Sequence, residues 1–167
     1  DGRYKSIFDL AKRIDLRAAN KKAIENLALA GGFDSFEGTT RAQYFHDDGD
    51  GITFYEKAMR YGSKFQENEN SSQVSLFGEA SEVQIAEPVV PPCEDWSTME
   101  KLAKEKEVVG IYISGHPLDD FRFEMKYFCN SKLEMLKNME SYVGKNLAFG
   151  GIVSNVQRRT AKNGKEW

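Results

Sequence analysis

Between Gln66 and Asp95 the chain loses its apolar periodicity. Asn, Ser, Gln, Glu and Pro prevail there, Pro88, Pro91 and Pro92 crowd its far end, and the pair Leu76–Phe77 interrupts the polar run. A stretch of this composition cannot bury enough apolar surface to offset the entropy of ordering it. It reads as a linker, so any core must come from the two flanks. Apolar residues make up 40% of the 167 and aromatics 12%, enough for one ordinary domain or two small ones. No run approaches the ~20 consecutive apolar residues of a membrane-crossing helix, and the amino terminus lacks the charged-then-apolar pattern of a secretory signal. Cys93 and Cys129 are far apart and belong to no close-spaced metal pair. A reduced, cytoplasmic protein with free thiols is expected.

Ahead of the linker, Ile7, Phe8, Leu10, Ala11 and Ile14 recur at helical spacing. Asn20 is suited to cap a second helix, because its side chain can accept from an orphan first-turn amide. Ala23, Ile24, Leu27, Ala28 and Ala30 form that helix's apolar stripe, and Gly31–Gly32 stops it. Two short helices joined by the hairpin Asp15 to Ala19 result, with Phe33 and Phe36 placed to close the underside. A third helix is predicted from about Thr53 to Phe65, on the recurrence of Phe54, Ala58, Tyr61 and Phe65.

Beyond the linker, Trp96 to Glu107 reads as a helix capped by Ser97 or Thr98, with Glu/Lys alternation offering ion pairs along its face. Val108, Val109, Ile111, Tyr112 and Ile113 read as its buried continuation. Ser114-Gly115-His116-Pro117 is a sharp turn, and Leu118 to Phe128 gives an aromatic-rich helix. From Val143, Leu147, Phe149, Ile152, Val153 and Val156 suggest a strand, and Asn163–Gly164 a tight hairpin whose second strand opens at Glu166–Trp167. The expectation is a mainly α fold: a helix-hairpin-helix bundle over 1–65, a polar linker over 66–95, a helical connector over 96–142 and a truncated β hairpin over 143–167. A strand so cut short has unpaired edges.

Net charge is −3 but unevenly spread. Arg3, Lys5, Lys12, Arg13, Arg17, Lys21 and Lys22 crowd the start, acidic residues dominate the middle, and Arg158, Arg159, Lys162 and Lys165 return the tail to basic. Phosphate contacts at the ends, or solvated surface, both fit that pattern. Asp47, Asp48, Asp50 and Gly51 imitate a calcium loop, yet a register with Gly51 sixth puts His46 first and Lys57 last, where carboxylates are needed. A polar turn is expected, and no metal. His116 beside Ser114 lacks a third partner for nucleophilic catalysis, so no catalytic residue is assigned.

Three stretches together carry a family likeness. Asn20-Lys21-Lys22-Ala23-Ile24-Glu25-Asn26-Leu27 with Gly31-Gly32-Phe33-Asp34 resembles the second helix and exit turn of the helix-hairpin-helix region in bacterial DNA polymerase III alpha subunits. Gln73-Val74-Ser75-Leu76-Phe77-Gly78 resembles that subunit's internal clamp-binding segment. Glu105-Lys106-Glu107 and Gly110-Ile111-Tyr112-Ile113-Ser114-Gly115-His116-Pro117-Leu118 are similar to a segment just before its OB domain, and the tail from Val143 looks like the opening of that OB fold.

The resemblance implies a non-catalytic piece of a DNA-directed DNA polymerase, a nucleotidyltransferase of chromosomal replication. Its catalytic acidic residues and divalent magnesium would lie outside this chain, and no cofactor is expected within it. Duplex DNA would be held through Arg17, Asn20, Lys21 and Lys22, with a merely packing role for the hairpin as the alternative. The hairpin carries no glycine, unlike the Gly-x-Gly turn of strong phosphate-binding hairpins. The sliding clamp (beta subunit) would be docked through Gln73, Val74, Ser75, Leu76 and Phe77, and single-stranded DNA met by Arg158, Arg159, Lys162 and Lys165. Other replisome subunits are further expected partners; a membrane is not. A freestanding DNA-repair adaptor combining hairpin and clamp peptide is the rival reading.

Overall fold

The computed structural model describes residues 2–74, 85–153, 155–161 and 164, with the side chains of 71–74 left aside. It divides into two compact units, Asp1–Ser114 and Gly115–Trp167.

The first unit is helical because its ends are capped locally. Helix α1, Ile7–Arg13, starts where Ser6 Oγ accepts from the Asp9 amide at 3.1 Å, and Asp9 in turn accepts from the Lys5 amide at 3.0 Å. Helix α2, Lys21–Leu29, starts at Asn20, whose side chain accepts from the Ala23 amide at 3.0 Å. It ends before Gly31, which takes a left-handed φ of 82°. A short α3, Arg41–Phe45, follows, and then α4, Phe54–Val74. Helix α5, Thr98–Val109, opens with a reciprocal Ser97–Glu100 cap and closes on Gly110 at φ 85°.

The core sits where α1 and α4 cross. Phe8 meets Phe54 and Tyr61 edge-on at 5.7 and 5.6 Å, Tyr44 faces Phe33 at 5.6 Å, and Phe33 stacks on Phe36 at 5.4 Å. Ile24 and Ala28 turn the apolar stripe of α2 into the same cluster. The helices approach closely at Gly62: a β-carbon there would lie 2.5 Å from the Ala11 carbonyl oxygen.

Three sequence expectations change here. Helix α4 continues past Phe65 to Val74. Gln66, the first residue read as linker, points inward and donates to the carbonyls of Ala11 (2.9 Å) and Ile14 (2.9 Å), satisfying the open end of α1. The far part of the linker is docked: Glu87 binds Lys12 (3.0 Å) and Tyr61 (3.2 Å), the Pro91 carbonyl accepts from Gln43, and Ile85 and Val90 pack on the core. These contacts supply the enthalpy that the segment's composition lacks. Finally, Val109, Ile111 and Ile113 are exposed rather than buried. The chain turns away at Gly110, and what enters the interior is Glu105, a residue read as part of a surface ion-pair row.

The second unit begins at the His116–Pro117 turn. Asp119–Phe121 forms a 3-10 turn, α6 runs Arg122–Tyr127, and further 3-10 turns over Leu133–Tyr142 are broken at Asn138. Asn130 then acts as a miniature strand partner: its side chain accepts from the Ala148 amide (2.8 Å) and donates to the Asn146 carbonyl (3.1 Å). Sheet strands do not form among the described residues, so the expected hairpin of 143–167 is not part of the described fold. Phe123, Phe128, Leu133, Val153 and Val156 are exposed.

Candidate nucleic-acid interface

The hairpin between α1 and α2 is organised by Asp15. Its carbonyl accepts from the Ala18 and Ala19 amides at 3.1 and 2.9 Å, and its carboxylate accepts from the Arg17 amide at 2.9 Å. The turn therefore closes without glycine, by consuming three of its own amides. Those amides are not free to hold a phosphate, which answers the missing Gly-x-Gly.

What the hairpin presents instead is the first turn of α2. An α-helix leaves its first amides without intrahelical acceptors. Asn20 takes that of Ala23, so the Lys21 and Lys22 amides remain. They lie at the positive end of the helix dipole.

The side chains around this turn differ in availability. Arg17 is exposed, and its guanidinium has no ion-pair partner among the described residues. Lys22 pairs with Glu25 at 3.0 Å. Lys21 pairs with Glu56 of α4, which raises the lysine and holds the Glu56 carboxyl below its ordinary range. Asn20 acts as a cap, so its oxygen is committed to the fold. Thus Arg17, Asn20, Lys21 and Lys22 are brought together at one end of α2, in three different chemical states.

The remaining sequence assignments fall elsewhere. Gln73 and Val74 lie on the last turn of α4, their side chains among those set aside, and Ser75, Leu76 and Phe77 lie outside the described residues. Arg158 and Arg159 are exposed in the second unit, with Arg159 donating to Gln157 at 3.1 Å. Lys162 and Lys165 lie outside the described residues. In the acidic turn, Asp47 accepts from the Gly49 and Gly51 amides, while the Lys57 ammonium reaches Asp48 at 2.9 Å and Asp50 at 3.0 Å. The lysine supplies the positive charge that a calcium ion would have brought. His116 accepts from the Leu118 amide through Nδ1 (3.1 Å), and its own amide donates to Asp119 (2.7 Å), so it serves the turn.

Sequence reading missed the buried charge cluster beneath the α2 exit. Arg41, 5% exposed, donates to Glu105 at 2.7 Å and to Asp34 at 2.6 Å. Gly31 makes room: a β-carbon there would collide with the Arg41 guanidinium. Burial would raise the Glu105 carboxyl, but the Ser114 amide and hydroxyl, Arg41 and the Ile113 amide outweigh it and hold the group at about 2. Asp34, followed by burial acting the other way and then Glu105, keeps Arg41 above its ordinary value. The cluster ties the helix-hairpin-helix exit, α3 and α5 together. No local pattern could have disclosed it, because Arg41 sits in a stretch without periodicity and Glu105 among other Glu and Lys residues.

The helix-hairpin-helix motif family matches residues 1–44, the span from α1 through most of α3. The chain is 33% identical over 170 residues to the DNA polymerase III subunit alpha of Treponema pallidum, covering 91% of this chain and 14% of that protein. It is 36% identical over 173 residues to the same subunit of Campylobacter jejuni, covering 100% and 13%. With that of Mycobacterium tuberculosis it shares 30% over 172 residues, 99% and 14%. The chain belongs with the DNA polymerase III alpha subunits. It spans about one seventh of the length of those relatives. The polymerase III alpha likeness extends through the second unit as well as the first, since it covers nearly every residue. No helix among the described residues is long and apolar enough to cross a membrane.

Proposed function

We propose that this chain serves bacterial chromosomal replication as a non-catalytic segment of a DNA polymerase III alpha subunit. Its amino-terminal helices hold duplex DNA, and Gln73 to Phe77 docks the sliding clamp. The observation that carries the DNA contact is the first turn of α2. There the Lys21 and Lys22 amides lack intrahelical acceptors beside an exposed Arg17 whose guanidinium has no ion-pair partner among the described residues, within the residues that match the helix-hairpin-helix motif. Backbone amides and cations of this kind bind phosphate without reading bases, as an enzyme copying any template requires.

The clamp reading is supported by the peptide's chemistry. Leu76 and Phe77 would bury apolar anchors, and Gln73 would both donate and accept at the pocket's mouth. One Leu and one Phe contribute about 1.5–3 kcal/mol each when buried. The isolated peptide should therefore bind weakly, and tethering through DNA would raise its avidity by roughly 10²–10⁴. In the parent protein, phosphoryl transfer would use acidic residues and magnesium beyond this chain, in the bacterial cytoplasm with other replisome subunits. If the tail from Val143 completes an OB fold there, Arg158, Arg159, Lys162 and Lys165 would meet single-stranded DNA. A repair adaptor is the weaker reading, because likeness to the polymerase subunit covers 91–100% of the chain.

Fluorescence anisotropy with two labelled duplexes of unrelated sequence tests the DNA contact. Equal affinity for both is expected, falling with salt, and Arg17→Ala should reduce the salt slope by about 1. No detectable binding at low salt would overturn the assignment.

A further inference from the structure

The exposed face of α4 beside the hairpin carries two cations outside the matched residues 1–44. Two contacts fix where this face lies. Lys21, at the start of α2, pairs with Glu56. The hairpin residues Asp15, Leu16 and Arg17 share an open groove with Ser63 and Glu67. Arg60 follows Glu56 by one turn and precedes Ser63 by three residues, so it stands on the same ridge between those two points. Lys64 continues the row one turn further.

Both Arg60 and Lys64 are exposed, and neither has an ion-pair or hydrogen-bond partner among the described residues. Their neighbours are treated differently. Lys57 is held by Asp48 and Asp50, and Lys22 by Glu25. The acid that could have paired with Arg60, Glu56, is taken by Lys21. Two like charges one turn apart repel, so their placement works against the helix when it stands alone. A polyanion laid along the row reverses that sign. The row repeats at about 6 Å on a rigid helix, and duplex DNA offers charge continuously along its length, about one per 1.7 Å of axis. Asp15 and Glu67 line that groove, whereas Arg60 and Lys64 do not, so phosphates would follow the ridge of α4 and not enter the groove.

We propose that Arg60 and Lys64 of α4, with Arg17 of the hairpin, form a second line of phosphate contacts that lays duplex DNA across α4 as well as α2. This rests on the reading that the helix-hairpin-helix region binds duplex.

The test measures affinity of the 167-residue chain for a labelled duplex across a salt series. The variants are Arg60→Ala/Lys64→Ala, Arg17→Ala and, as a control of equal charge loss, Lys104→Ala/Lys106→Ala. The proposal expects the first to lower the slope of log K against log salt by about 1.8, the value for two lost phosphate contacts, and the control to leave it unchanged. Its melting temperature should not fall, since the change removes a repulsion. An unchanged slope for Arg60→Ala/Lys64→Ala, alongside a reduced one for Arg17→Ala, overturns the α4 contact and leaves the hairpin reading standing. Equal loss in the control overturns it in favour of bulk charge. No binding by the unaltered chain overturns both readings.

Discussion

The Arg41 guanidinium donates to Glu105 Oε1 at 2.7 Å although sixty-four residues separate them, and the glutamate is wholly buried. The other oxygen of that carboxylate accepts from the Ile113 and Ser114 amides at 2.8 and 3.0 Å. One carboxylate thus fastens α3 to α5 and fixes the chain just before it leaves the first unit. Asp34, half exposed, holds the other side of the Arg41 guanidinium.

A buried ion pair is costly to break and cheap to replace, because removing one partner strands the other charge in a dry site. Arg41→Met should destabilise the first unit by about 3–5 kcal/mol. Arg41→Met/Glu105→Leu should recover part of that loss in denaturant unfolding. If the double variant is as unstable as the sum of the singles, the pair is not coupled as its geometry requires.

Acid should release the same cluster. The folded Glu105 carboxyl stands at about 2, below its ordinary value. A depressed carboxylate stabilises the fold fully above the unfolded value, and that contribution disappears as pH falls through the folded one. The window therefore runs from roughly pH 4.5 down to 2, with a contribution on the order of 3 kcal/mol. Thermal melts of the unaltered chain and Glu105→Gln should converge across this window and differ above it. A constant gap between them down to pH 2 would count against the assignment.

Gly62 lies inside a helix, where alanine is ordinarily better by about 0.8–1.0 kcal/mol. Here the added carbon would sit 2.5 Å from the carbonyl oxygen and 2.6 Å from the β-carbon of Ala11, and neither belongs to a side-chain end that can swing away. Overpacking of this kind costs about 1–3 kcal/mol, so the clash should win. Gly62→Ala is expected to lower the melting temperature. A rise would show that α1 and α4 can separate without loss.

Leu76→Ala/Phe77→Ala should abolish binding to the cognate sliding clamp while leaving thermal stability unchanged. Calorimetry against the clamp reads the first half and a melt the second. A fall in melting temperature would mean that the two side chains belong to the core.

The local parts of this architecture were legible in the chain. Asn20, Ser97 and Gly31 mark helix ends by hydrogen bonds and backbone angles that involve residues three or four places away, and the structure uses all three as written. The residues at the head of α2 were legible for the same reason. Which of them are available was not: Lys21 is engaged by Glu56 across the fold, and Arg17 is left open because Asp15 turns to the backbone. The extension of α4 was hidden too, since polar residues give no period, and Gln66 is placed by the open carbonyls of α1. Sequence determined where α2 begins and ends and where α4 and α5 begin, because capping is settled within a turn of chain. The interior position of Glu105 and the exposure of Ile111 and Ile113 were decided only by tertiary structure, because desolvating a carboxylate becomes favourable only when a guanidinium and two amides from distant residues converge on it.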